Sequence, residues 1–161
     1  HVAFLAPSEV ALVKCDRAIG IAAPQLVPAD MLRLVECFSG VGVGAEYVTG
    51  SKKDIVQQVQ DSIDCMSAPI IGVRWPGGSG HWMMVVGYQG YENEGDFQIT
   101  HLLCLDPGSE TPRTSLWNAV IEVFNEDGSS VASGPLPSIH WGYDGKQESC
   151  RIEDAILICK A

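Results

Sequence analysis

The stretch that most constrains this chain is Gly80-His81-Trp82-Met83-Met84-Val85-Val86-Gly87-Tyr88 with its return, His101-Leu102-Leu103-Cys104-Leu105-Asp106-Pro107-Gly108. Each half is an apolar run of strand length, and Gln89 to Gln98 between them is rich in Gly, Asn, Asp and Glu. That pattern predicts one antiparallel hairpin. Folded symmetrically about Asn93-Glu94, it sets His81 directly opposite Asp106, and opposed side chains share a face with Cβ atoms roughly 4.5–5.5 Å apart. An imidazole and a carboxylate then meet at the open end of an apolar ribbon. A carboxylate that holds one ring nitrogen of a His fixes its tautomer and raises its basicity, which prepares a general base for a nucleophile. The same residues also read as a surface His beside an Asp-Pro-Gly turn.

A small residue, then His, an aromatic, an apolar run ending Gly-Tyr, a hairpin, and an apolar strand closing on Asp-Pro resembles the His/Asp half of papain-like cysteine peptidases. The likeness is to the compact bacterial branch of bacteriocin-processing peptidases and secreted cysteine-protease toxins. An amphipathic helix and the strand Ala68-Pro69-Ile70-Ile71-Gly72-Val73-Arg74-Trp75 precede the hairpin in the same order. The resemblance covers roughly Asp54 to Pro107 and rests on pattern more than on a unique motif. It implies an α+β fold, N-terminal helices packed on a C-terminal antiparallel sheet, with His81 as base and Asp106 as its orienter.

The resemblance also implies a nucleophilic Cys at the start of a buried helix ahead of the His, where the helix end and the imidazolium favour thiolate. Cys15, Cys37 and Cys65 precede His81. Cys65 follows its helix and Cys37 falls in the last turn of another, so Cys15 is the candidate. Its neighbours Lys14 and Asp16 replace the family's Trp, Gly or Ser, the gap to His81 is short, and no Gln precedes it for an oxyanion hole. A nucleophile upstream of this sequence, or a domain without one, remain as alternatives.

At 161 residues the chain suits a single domain over 1–161 with a sizeable core, though a first residue of His leaves upstream sequence as an open question. No run reaches membrane-span length and no signal-peptide pattern is visible. Ten basic against twenty acidic residues give a net charge of −10, which repels phosphate and argues against nucleic acid or anionic membrane. The six cysteines include no CxxC pair, so neither a zinc site nor a cofactor is expected, and mostly reduced thiols are. Cys104 and Cys159 lie in apolar strands, where Cys behaves as a small hydrophobe.

In chain order, residues 2–13 read either as two short strands or as a helix capped by Ser8, and Cys15 to Ala23 as two helical turns. Apolar residues at Met31, Leu34, Val35 and Phe38 predict a helix ending at Ser39-Gly40, and Val41 to Val48 a loop with a short strand. A second helix from Lys52 to Ile63 carries Ile55, Val56, Val59 and Ile63 on one face, opened by a capping-box pair Ser51 and Asp54. Strands follow at 69–75, 81–88, 98–105, 116–125 and 152–159. Asp127 to Gln147 reads as one long loop.

The resemblance implies an amide hydrolase (peptidase, deamidase or amidase) acting by a Cys-His-Asp mechanism on a protein or peptide, of the thiol-protease toxin or effector kind, which a bacterium would secrete. The other class is a non-catalytic module of the same resemblance that binds a peptide or partner. His101 and His140 read as solvated or hydrogen-bonded residues. Trp82 and Trp141 are the aromatic residues expected to flank the site, and Pro76 to Gly80 a backbone that approaches substrate.

Overall fold

The computed structural model describes residues 27–93, 95–110 and 115–160. Cys15 and the elements expected upstream of Val27 lie outside the described residues. Two short α-helices and seven strands follow, and the strands are mutually antiparallel. Helix α1 spans Pro28–Glu36, with proline at its first position, where its missing N–H costs nothing, and Asp30 Oδ2 accepting from the Val27 amide at 3.4 Å. Met31 and Val35 are its buried residues. Helix α2, Lys52–Asp64, begins at the expected capping box: Asp54 N donates to Ser51 Oγ at 3.2 Å and Ser51 N to Asp54 Oδ2 at 3.2 Å. It buries Ile55, Val56 and Val59.

The strands are β1 (Val43–Thr49), β2 (Ile70–Arg74), β3 (Gly80–Asn93), β4 (Asp96–Leu105), β5 (Ala119–Glu122), β6 (Ser138–Gly142) and β7 (Gln147–Lys160). They pair β2-β3-β4-β5-β6 in sequence order, and β7 closes the set by pairing with β2 and with β6. The result is a six-stranded barrel, with β1 continuing along β7 from Asp154 to Lys160. Closure of this kind pairs both edges of the sheet, and the two helices flank it chiefly at β1 and β7 rather than cover an open sheet. The expected papain-like α+β arrangement, helices packed on an open C-terminal sheet, is therefore overturned. The chain is mostly antiparallel β with two short helices among its described residues.

Closure depends on two segments that read differently in the sequence. The supposed loop 127–147 contains β6, five residues flanked by Pro135 and Pro137 on one side and a Gly142-to-Gly145 turn on the other. Strand β7 starts five residues earlier than its apolar run, in the exposed Gln147-Glu148-Ser149, and that polar start is what meets β6. The barrel is filled by inward rows that include Val73, Met83, Val85, Leu102, Cys104, Ile121, Cys150 and Ile152, all buried. Cys159 is exposed and Cys150 is the buried thiol of β7, the reverse of the expectation for Cys159. The five described cysteines are free.

The hairpin forms, with its register moved. Asn93 faces Asp96 and Met84 faces Leu105, so the symmetry point lies one residue beyond Asn93-Glu94. Two bulges interrupt the ladder, between Val85 and Gly87 on β3 and across Thr100 on β4, and they cancel. The ladder therefore runs toward Asp106 across from Met83, two positions from His81. A shift of two keeps the same face, whereas a shift of one would have separated the pair. Among the described residues no helix is long and apolar enough to cross a membrane.

Candidate active site

At one end of the barrel the inward rows turn polar. His81 follows the row of Val73 and Met83, Asp106 that of Cys104, and His140 that of Ser138 and Ile121. His81 Nε2 lies 2.7 Å from Asp106 Oδ1. The pair expected from the hairpin is thus made, as diagonal rather than directly opposed neighbours. With Nε2 engaged by the carboxylate, Nδ1 is the nitrogen left for chemistry, and among the described residues nothing hydrogen-bonds it. The side chain of His81 is 29% exposed and that of Asp106 9%, a partly exposed imidazole over a sheltered carboxylate.

Asp106 is held from every direction. Its Oδ1 also accepts from the Gly108 amide at 2.6 Å, and its Oδ2 from Ser109 Oγ at 3.1 Å. The buried Asn118 fixes the backbone: its Oδ1 accepts from Asp106 N at 2.7 Å, while its Nδ2 donates to Asp106 O at 2.9 Å and Glu110 O at 3.0 Å. Burial works against ionisation of Asp106, but the hydrogen bonds from His81, the Gly108 amide and Ser109 outweigh it and hold the carboxyl below the usual range. The carboxylate is therefore ionised at neutral pH.

Trp75 and His140 complete the barrel end, and neither was expected there. The Trp75 ring lies 6.3 Å from that of His81 and meets His140 edge-on at 5.0 Å. The signal for both was strand parity, since each stands two positions beyond a buried inward residue, but for His140 that required knowing β6. Trp141 instead faces outward, donating Nε1 to Glu122 Oε2 at 3.1 Å. His101 is hydrogen-bonded to Thr100 Oγ1 at 2.7 Å, as expected of a satisfied surface His. Gly77 and Gly78, at φ +86° and +89°, are required by the tight turn from β2 to β3, in which Trp75 N donates to Ser79 O at 2.9 Å.

His81 lines a cleft of about 380 Å³ together with Trp82, Gly72, Arg74, Glu153 and Asp154, and with Val27 and Pro28 where the described chain begins. Gly72 pairs with Asp154 and Val73 with Ile152, leaving Glu153 as the extra residue of a bulge in β7 beside the cleft.

None of the described cysteines meets His81. Cys104 and Cys150 are fully buried, and burial pushes both thiols up, that of Cys150 to about 12. Cys37 and Cys65 cap the C-terminal ends of α1 and α2, not the start of a helix as expected of the nucleophile. Cys159 pairs with Gly44 near the far end of β7. Cys15 lies outside the described residues. No group of three His, Cys, Asp or Glu among the described residues has the arrangement of a metal site. Compared with known proteins, the chain matches no protein-family model, no curated protein and no solved structure.

Proposed function

We propose that the protein is a cysteine-dependent amide hydrolase in which His81 is base and then acid, Asp106 its orienter and Cys15 the nucleophile. The observation that carries this is the 2.7 Å bond from His81 Nε2 to a sheltered, multiply hydrogen-bonded Asp106, with His81 at the wall of a cleft. Cys15 is supported by the unsuitable settings of the other five thiols and by its place twelve positions before Val27, which lines that cleft.

The thiol proton passes to Nδ1 and the sulfur attacks the amide carbon. Collapse of the tetrahedral intermediate expels the amine, which takes the proton from Nδ1 and leaves a thioester. Water then attacks, again giving a proton to Nδ1, and sulfur departs with that proton as the acid is released. Asp106 stabilises the imidazolium at each stage without itself being protonated. Peptidase, deamidase and amidase share these steps and differ in the amine expelled.

The test needs no substrate. Brief iodoacetamide treatment near neutral pH, followed by peptide mass spectrometry, ranks the six cysteines, in wild type and in His81→Ala. Cys15 should react first and slow at least tenfold without the imidazole, a loss of about 1.4 kcal/mol in activation. Exposed Cys65 and Cys159 reacting as fast as Cys15, or no effect of His81→Ala, would overturn the assignment.

A further inference from the structure

We infer that the cleft beside the dyad binds a cationic group, an ammonium or guanidinium, between the carboxylate of Asp154 and the indole of Trp82. This deepens the hydrolase reading, on which it rests for the claim that the cation belongs to the substrate; the binding site itself stands on the cleft. Thr49, Asp154, Gly72 and Trp82 lie side by side in register across β1, β7, β2 and β3, and so share one face. Gly72 is the gap in that row. A Cβ there would collide with Asp154 Oδ1 and stand 3.2 Å from Cζ3 of Trp82, so the glycine lets a carboxylate and an aromatic ring converge on one spot.

The charges on the wall leave Asp154 unmatched. Arg74 is committed to Glu153, Nη2 to Oε2 at 2.5 Å, and to the Gly78 carbonyl through Nη1 at 2.7 Å. Exposed Arg151 also reaches Glu153, from outside the cleft. Among the described residues Asp154 makes no ion pair; Tyr47 Oη donates to its Oδ2 at 2.8 Å and leaves Oδ1 available. Burial pushes the Asp154 carboxyl above its ordinary value despite that hydrogen bond, so a cation in the cleft would relieve an understabilised charge. A carboxylate beside an indole is a chemically matched pair for an organic cation, one supplying charge and the other its π face.

Agmatine, a guanidinium and an ammonium on one chain without a carboxylate, is the probe, and n-butylurea, which lacks both charges, its neutral control, titrated into the full chain by ligand-observed NMR near neutral pH. Agmatine should bind saturably and at least tenfold tighter than n-butylurea. Asp154→Asn, which keeps an acceptor for Tyr47, should cut agmatine affinity at least tenfold while melting close to wild type. A wild-type titration toward acid covers the case in which that variant does not fold. The ionisable groups facing Asp154 are Tyr47, Glu153 and Arg74, with Glu153 held low by Arg74, and His81 lines the same cleft, so the acid titration is repeated in His81→Ala, where loss of agmatine above the ordinary carboxylate range reports Asp154. Equal binding of the two probes, or agmatine affinity indifferent both to acid and to Asp154→Asn, overturns the cation site. Alkylation of Cys15 separates the two readings: agmatine binding with an unreactive Cys15 leaves the cation site and removes the hydrolase, and the converse removes only the cation site.

Discussion

His140 holds its Nε2 3.9 Å from Oδ2 of Asp106, the carboxylate oxygen that His81 does not use. One carboxylate is thus approached by two imidazoles, and the buried Nε2 of the second has no hydrogen-bond partner among the described residues. Burial lowers the His140 pKa below its ordinary 6.5, more than the charge of Asp106 raises it, with His81 lowering it further and Glu148 and Asp144 opposing. The folded protein therefore keeps His140 neutral. Below 6.5 the unfolded chain takes up this proton first, so the group's contribution to stability is full above that value and is lost as pH falls through the window beneath it. His140→Phe retains the edge-on contact with Trp75 and removes the titration. Its melting temperature should fall less than that of wild type between about pH 7.5 and about pH 5.5; parallel curves would mean that His140 does not titrate in this way.

Asn118 should prove to be the residue on which the dyad's position depends. It satisfies the amide and carbonyl of Asp106 and the carbonyl of Glu110 with one buried side chain. Asn118→Ala leaves those groups without it, at a cost of about 2–4 kcal/mol by chemical denaturation. The Nε2 proton of His81 should also exchange faster with solvent in the imidazole NMR spectrum. A change below about 0.5 kcal/mol would show that water replaces the side chain without loss.

What was legible in the sequence follows the range of the forces involved. The Ser51 and Asp54 cap and the buried face of α2 are local, and both were readable from spacing. The shared face of His81 and Asp106 survived a misplaced turn because strand parity is a binary property and the error was even. Closure into a barrel was not legible, because it depends on Gln147 to Ser149 pairing with Ser138 to Trp141, a polar strand start meeting a strand hidden between prolines and a turn. The cleft was missed for the same reason: Asp154 lines it where it pairs with Gly72 beside a bulge, and neither residue announces the other.

Lys52 should act as a staple for the excursion between β5 and β6. Its Nζ donates to Val123 O at 2.6 Å, Pro137 O at 3.0 Å and Ser130 Oγ at 3.2 Å, and stands 4.4 Å from the centre of the Phe124 ring. Lys52→Met preserves the aliphatic stem but strands two carbonyls, so a loss of about 2–3 kcal/mol is expected. Amide hydrogen exchange should rise across 124–137 more than in the hairpin. Uniform exchange along the chain would place the effect in α2 alone.

Gly72 and Tyr47 allow the cleft to be tested without any ligand. Burial, the hydrogen bond to Asp154 and the negative charge of Asp154 together push the Tyr47 phenol to about 12. In Gly72→Ala the new methyl group meets the Asp154 carboxylate, which must swing away from the strand and loosen its bond to Tyr47. The variant should lose about 1–3 kcal/mol, the usual cost of adding a carbon to a filled space. In a spectrophotometric titration its Tyr47 should ionise earlier than in wild type. Asp154→Asn removes the charge without adding bulk, and should move Tyr47 in the same direction at a smaller cost in stability. If Gly72→Ala destabilises the protein while the tyrosine titration stays where it was, the methyl group has been absorbed by Trp82 rather than by Asp154, and Gly72 is needed for the indole alone.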